Sequence, residues 1–235
     1  MWIKICANTS LDDARLASNS GADAVGYVFA PSRRRLTAAE AAAIAPQVPL
    51  DVTQIGVFQT SDFDEIASTV RLARLHGTQL HGTLDLSLIG QLRSAFGDEH
   101  FIIQTLHWSV DSDPAESERT LREELRKLRR EGFVDAVLLD AKTPTTSGGT
   151  GRAFDWDRAG KILSAETGKL RIILAGGLNP ANVTEAIRTL RPWGVDVASG
   201  VESQPGKKDG ARLQAFIMAA REAFAAIENF SPSPR

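Results

Sequence analysis

The chain has 235 residues, 43% of them hydrophobic and 24% charged, with a formal net charge of -2. This composition argues against disorder, and the even charge balance argues against the basic surface that nucleic acid or an anionic membrane calls for. The single cysteine, Cys6, rules out an internal disulfide, speaks against a cysteine-based structural zinc site, and fits a reducing, cytoplasmic compartment.

Short β-rich runs alternate with longer helical stretches. The first strand is predicted over 2–6 (WIKIC), followed by a helix that Ser10 caps and Gly21 stops. After a second strand over 22–30, a helix opens at Thr37, with Glu40 at the spacing of a capping box. A third strand over 51–58 precedes an amphipathic helix with Phe63, Ile66, Ala67 and Val70 on one face. A fourth strand over 78–82 leads to a helix striped by Leu88, Ile89, Leu92 and Phe96. The fifth strand is predicted over 100–106. The next helix, 115–132, is strongly charged, with Leu121, Leu125 and Leu128 as a narrow apolar stripe; its charges read as a solvated face laced by i,i+4 pairs. The sixth strand (134–141), a helix, the seventh strand (170–177), a helix with Pro180 near its first turn, the eighth strand (194–200) and a long last helix follow. The opening residues lack the apolar core of a secretory signal, and no run approaches the ~20 residues that span a bilayer.

Strict strand–helix alternation predicts a parallel sheet, and eight repeats predict closure into a single α/β domain, a (β/α)8 TIM barrel. The barrel is expected over 1–227, with 228–235 as a flexible C-terminal tail. An open doubly wound sheet would gather its ligand at one switch point beside an early glycine-rich turn. Here polar residues and glycines follow nearly every strand, which favours a barrel mouth.

In a barrel the C-terminal strand ends share one pocket. Cys6 ends the first strand: it reads either as a small buried hydrophobe or as a base or nucleophile if its pKa is lowered. Asp140 ends the apolar run AVLLDA and is either a structural acceptor or a general acid with a raised pKa. The glycines of SGGTG, LAGGLNP and ASGVE follow strands six, seven and eight, where barrels commonly bind phosphate. The SRRR run at 32–35 is a solvated surface or a source of a bidentate arginine. His76 reads as a helix-end residue and His81 as a pocket residue. A metal site from Cys6, His81 and Asp140 lacks the close local spacings of a metal motif.

The ordered motifs KIC, DDARLASNSGADAVGYVFAPSRRRL, IGVF, QLHG, LLDA, GGTGRAFDW, LAGGLNPANV and GVDVASGVESQPGKKD span nearly the whole chain. Together they resemble the phosphoribosylanthranilate isomerases of tryptophan biosynthesis, which are (β/α)8 barrels. The resemblance implies an Amadori rearrangement of N-(5-phosphoribosyl)anthranilate to 1-(2-carboxyphenylamino)-1-deoxyribulose 5-phosphate. It implies Asp140 as the acid that opens the ring, Cys6 as the base that takes the C2 proton, and Arg34 as the carboxylate-binding arginine. It also implies His81 and Asp196 as pocket residues, and Gly176, Gly177, Ser199 and Gly200 as a phosphate cradle. The implied partner is a small phosphosugar, with no metal, organic cofactor, nucleic acid or membrane, and the state a monomer or homodimer. Two departures stand out: Ala7 follows the cysteine where the family commonly has glycine, and the segment from Gln104 to Glu131 is longer and lacks the usual Lys-Ala. The competing readings are another sugar-phosphate isomerase on the same barrel and a catalytically inactive barrel that only binds.

Overall fold

A computed structural model of the chain describes residues 1–109, 113–142 and 156–229. The eight predicted strands pair in sequence order and close on themselves: β1 (Trp2–Ile5), β2 (Ala24–Val28), β3 (Thr53–Phe58), β4 (Gly77–Leu80), β5 (Phe101–Ser109), β6 (Ala136–Lys142), β7 (Arg171–Ala175) and β8 (Gly194–Val197). All their pairings are parallel, and β1 pairs with β8 from Trp2 opposite Gly194 to Ile5 opposite Val197. Among the described residues the α-helices are α1 (Leu11–Asn19), α2 (Ala38–Ile44), α3 (Phe63–Ala73), α4 (Leu86–Phe96), α5 (Pro114–Glu131), α6 (Trp156–Glu166), α7 (Val183–Leu190) and α8 (Gly210–Asn229). A 3-10 turn over Ser199–Val201 and a hairpin of β9 (Glu202–Gln204) and β10 (Lys207–Lys208) stand between β8 and α8.

Strand alternation sorts side chains into separate cores. On β1, Ile3 and Ile5 join the large core between strands and helices, whereas Trp2 packs inside the barrel with Ile55, Ile103, Leu138 and Ile173. Cys6, one step beyond, forms a third small cluster with Ala7 and Val57 near the mouth. Both faces of each strand are thus covered, which is why these strands read as near-continuous apolar runs.

Several local signals act as the sequence indicates. Ser10 accepts a hydrogen bond from the Asp13 amide, and Thr37 and Glu40 complete a reciprocal capping box. Leu121, Leu125 and Leu128 are buried. Other expectations need correction. Pro180 lies ahead of α7, which starts at Val183 after Asn182 as N-cap. The charges of α5 do not chiefly lace that helix: Arg122 and Arg126 reach the nearly buried Glu166 of α6, and Arg158 of α6 reaches Glu118. A neighbouring helix with a buried carboxylate offers a stronger partner than a solvated one on the same helix. Helix α8 runs to Asn229, past the expected boundary at 227, and residues 230–235 lie outside the described residues.

Candidate active site

The C-terminal strand ends enclose a cavity of about 460 Å³. It is lined by all nine residues singled out in the sequence: Cys6, Arg34, His81, Asp140, Gly176, Gly177, Asp196, Ser199 and Gly200. A larger hollow, about 810 Å³, lies between α6 and α7 at the opposite end, beside Trp193, and holds none of them. The SGGTG segment after β6 lies outside the described residues.

Cys6 is buried, with its backbone N–H donating to Val197 across the β1–β8 pairing. Its side chain shares the barrel interior with Lys4, two residues earlier on the same face. Lys4 is fully buried and its Nζ lies 3.0 Å from Asp196 Oδ1, its register partner on β8. Burial pushes the Cys6 thiol up; the Lys4 cation opposes this, and the Asp196 carboxylate adds to it. These surroundings therefore do not provide the lowered thiol pKa that would suit a resting base. Room for the thiol comes from β2: a Cβ on Gly26 would sit 2.9 Å from Cys6 Sγ and 3.1 Å from Lys4 Cε. Ala7, the departure from glycine, has φ of 62°, so a Cβ is held in the left-handed region where glycine is at ease.

Arg34 forms a bidentate fork with buried Glu202 through Nε and Nη2, at 2.8 and 2.6 Å. Nη1 takes no part in that fork. Its neighbours Arg33 and Arg35 are exposed. Burial works against the Glu202 carboxylate, but Arg34 and Lys208 outweigh it and hold the group below the usual range. Lys208, also buried, donates to the carbonyl of Cys6 at 2.6 Å and of Ala198 at 3.2 Å. The hairpin thus braces the arginine and the first strand end together.

Asp140 stands opposite His107 in the β5–β6 register, with His107 Nδ1 3.4 Å and His81 Nε2 3.9 Å from Asp140 Oδ2. The two imidazoles meet edge to face, 4.8 Å between centroids. Burial, with His107 nearby, pushes His81 below its ordinary value. These three side chains form the one group of histidines, cysteines and carboxylates, among the described residues, with donor atoms within 4.8 Å of one another. It does not contain Cys6. His76, by contrast, accepts a hydrogen bond from the Gln54 amide through Nδ1, a structural role at the base of β4.

Gly176 and Gly177 have φ of 89° and 67°. The side chains of Asn179 and Asn182 both donate to the Gly177 carbonyl, and Asn182 accepts from the Asn179 amide, so the LNPAN sequence locks this loop. A Cβ on Gly200 would strike the Leu178 carbonyl, so glycine is required where the β7 and β8 loops meet. Gly176, Gly177, Ser199 and Gly200 all line the cavity, and glycine-rich loops of this kind are suited to an anion.

Sequence reasoning overlooked Lys4, His107, Glu202 and Lys208. Period-two alternation carries a signal for two of them. Lys4 sits between Trp2 and Cys6 on the inward face, and His107 continues Phe101, Ile103 and Thr105 once the strand is extended three residues beyond 106. Glu202 and Lys208 become visible only when the hairpin folds back.

Comparison with known proteins adds to this geometry. The family model for N-(5'phosphoribosyl)anthranilate (PRA) isomerase matches residues 3–219. A protein named N-(5'-phosphoribosyl)anthranilate isomerase from Pelobacter propionicus is 39% identical over 223 residues, 94% of this chain and 95% of its own. One of the same name from Roseiflexus sp. is 39% identical over 228 residues, with 94% and 98% covered. The crystal structure of phosphoribosyl anthranilate isomerase from Thermotoga maritima superposes with a TM-score of 0.77 at 33% identity, covering 94% of this chain and 99% of that one. With the match running through the barrel and every motif in order, the chain belongs to the N-(5'-phosphoribosyl)anthranilate isomerase family.

Proposed function

We propose that the cavity isomerises N-(5'-phosphoribosyl)anthranilate to 1-(2-carboxyphenylamino)-1-deoxyribulose 5-phosphate, the Amadori step of tryptophan biosynthesis, with Asp140 as acid and Cys6 as base. The observation that carries the reading is that a thiol and a carboxyl from β1 and β6 line one cavity together with a glycine-rich cradle and an arginine. A structure similar to this chain, with TM-score 0.75 and 30% identity, is of phosphoribosyl anthranilate isomerase in complex with reduced 1-(o-carboxyphenylamino)-1-deoxyribulose 5-phosphate.

In this reading the loops at Gly176–Gly177 and Ser199–Gly200 hold the phosphate through backbone N–H groups. Arg34, held by Glu202, offers Nη1 to the anthranilate carboxylate. Asp140 protonates the furanose ring oxygen; the C1–O bond breaks and an iminium forms between C1 and the anthranilate nitrogen. Cys6 as thiolate takes the C2 proton, and the electron pair neutralises the iminium to give an enolamine. Ketonisation moves a proton onto C1 and releases the C2 hydroxyl proton, so no net proton is consumed. Burial favours the protonated thiol at rest, so the base forms as the ring opens: the thiol gives its proton to solvent, and the developing iminium favours the thiolate.

The reading includes the cytoplasm as its compartment, a single barrel domain with a short C-terminal tail, and a monomer or homodimer; a similar Thermotoga maritima structure is of monomers made from a dimeric enzyme. Among the described residues no helix is long and apolar enough to cross a membrane.

The test is turnover of N-(5'-phosphoribosyl)anthranilate generated in situ, followed by loss of anthranilate fluorescence. The wild type should consume it, and Asp140→Asn should lose ~100-fold or more, the scale of general acid catalysis. A folded wild type without turnover refutes the isomerase reading; an active Asp140→Asn refutes the acid.

A further inference from the structure

We infer that His107 and Asp140 hold one shared proton, and that His107 supplies, through Asp140, the proton given to the substrate ring oxygen. The inference rests on Asp140 being the acid. Hydrogen-bond logic leads to it. His107 Nε2 lies 3.1 Å from the carbonyl oxygen of His81. A carbonyl only accepts, so Nε2 carries a hydrogen. In a neutral ring Nδ1 then has a bare lone pair, and it faces Asp140 Oδ2 at 3.4 Å. A bare nitrogen and an ionised carboxylate at that separation repel. One proton between them turns the contact into attraction, on Nδ1 as an imidazolium or on Oδ2 as an acid.

The surroundings fit a proton reservoir. His107 and Asp140 are register partners on adjacent strands, both on the inward face, so the contact is fixed by backbone pairing. His107 is about one-third exposed and can exchange with solvent, whereas Asp140 is half as exposed. Among the described residues, the titratable groups facing the pair are His81 from β4, with Glu124 from α5 beside His107; Lys4 and Asp196 act on His81 from β1 and β8. Burial and the neighbouring His107 both disfavour a proton on His81, which weakens it as a competitor. The balance is simple. His107 Nδ1–H passes its proton to Asp140 as Asp140 protonates the ring oxygen, leaving a neutral imidazole and a carboxylate. The proton released from the C2 hydroxyl on ketonisation restores the pair. His107 acts through Asp140 and is a positioning and proton-holding residue.

A lone carboxyl loses its proton near pH ~4, whereas a pair governed by histidine keeps it to ~6.5 or above. His107→Gln retains an N–H for the His81 carbonyl but cannot hold the proton. The wild-type to variant ratio of kcat/KM should therefore grow at least about tenfold between pH 5 and pH 8, since each unit of lost pKa costs a factor of up to ~10 in protonated acid. This holds whichever of the acid and the thiol titrates first, because both enzymes share the same thiol. A ratio independent of pH means a merely structural role and overturns the inference. Should His107→Gln fail to fold, NMR titration of the histidine rings in wild type and Asp140→Asn decides instead. The Asn amide donates to Nδ1, so one histidine pKa should fall by about a unit or more; unchanged histidine titrations overturn the inference. If Asp140→Asn is inactive while the ratio is flat, only this inference fails. If Asp140→Asn remains active, the acid assignment itself has failed.

Discussion

Lys4→Met puts a measurable load on both the barrel and the thiol. Lys4 is fully buried and 3.0 Å from Asp196. At an effective dielectric of about 20, two unit charges at that distance attract by about 5 kcal/mol. Removing one partner strands the other in the barrel interior, and such losses run to about 3–5 kcal/mol. With a urea slope of about 3 kcal/mol/M, the unfolding midpoint should fall by about 1–1.5 M. Lys4→Met/Asp196→Asn removes both charges and should recover much of that loss. The sign with pH is also fixed. Burial alone would lower the Lys4 pKa, but Asp196 and Cys6 outweigh it and raise the pKa above 10.5. A raised lysine stabilises fully below its unfolded value, so the deficit of Lys4→Met should be flat from pH 6 to 9 and shrink only above about pH 10. The same variant removes a cation that lowers the Cys6 pKa, so the thiolate becomes scarcer and turnover should drop. Equilibrium urea unfolding of Lys4→Met, Asp196→Asn and the double variant, with the fluorescence turnover assay alongside, is the measurement. A midpoint shift below 0.3 M, or a double variant as unstable as the two single losses combined, would refute the reasoning; so would a deficit that varies between pH 6 and 9.

Two further outcomes follow from the same kind of contact. Gly26→Ala drives a methyl against Cys6 Sγ, Cys6 Cα and Lys4 Cε, so kcat should fall at least about tenfold with stability down by about 1–3 kcal/mol; steady-state kinetics with unchanged kcat would show that the thiol has room to move. His100 is buried against Thr78, and burial, aided by Arg93, holds its pKa down at about 4. Below pH ~6.5 the unfolded chain takes up a proton that the folded chain refuses, so stability is full above that pH and falls towards pH 4 by up to about 1.4 kcal/mol per unit. Unfolding curves of His100→Gln should lose much of this acid sensitivity, and an identical slope would remove His100 as its source.

The order of strands and the residues lining the cavity were legible because barrel topology converts sequence position into spatial position. A residue at the end of WIKIC and one at the end of AVLLDA must meet at the same mouth, whatever lies between them. The capping box at Thr37 and the stripe on α5 were legible because both are local. What was hidden depends on contacts between distant segments. Arg34 was readable as a carboxylate-binding arginine, but not the Glu202 that the hairpin brings to it from 168 positions away. The charges of α5 read as solvated until α6 supplied Glu166. His107 escaped because a polar residue after QTL reads as the end of a strand, whereas pairing with β6 carries β5 on to Ser109. The thiol's raised pKa was unreadable, since it reflects burial among groups from β1, β8 and β10.

The contacts that surround Cys6 come largely from the other end of the chain. Asp196 holds Lys4, Lys208 donates to the Cys6 carbonyl and, through its backbone N–H, to Asp13, and Arg221 reaches Asp23. The proposed base therefore lies where the first and last segments meet, and its surroundings are completed late, when β8, the hairpin and α8 have all left the ribosome. Gly26 and Val57 lie close to the sulfur from the first quarter of the chain, but Asp196 and Lys208 join it only some two hundred residues after Cys6. Any truncation short of Lys208 removes part of the thiol's surroundings, however much of the barrel remains.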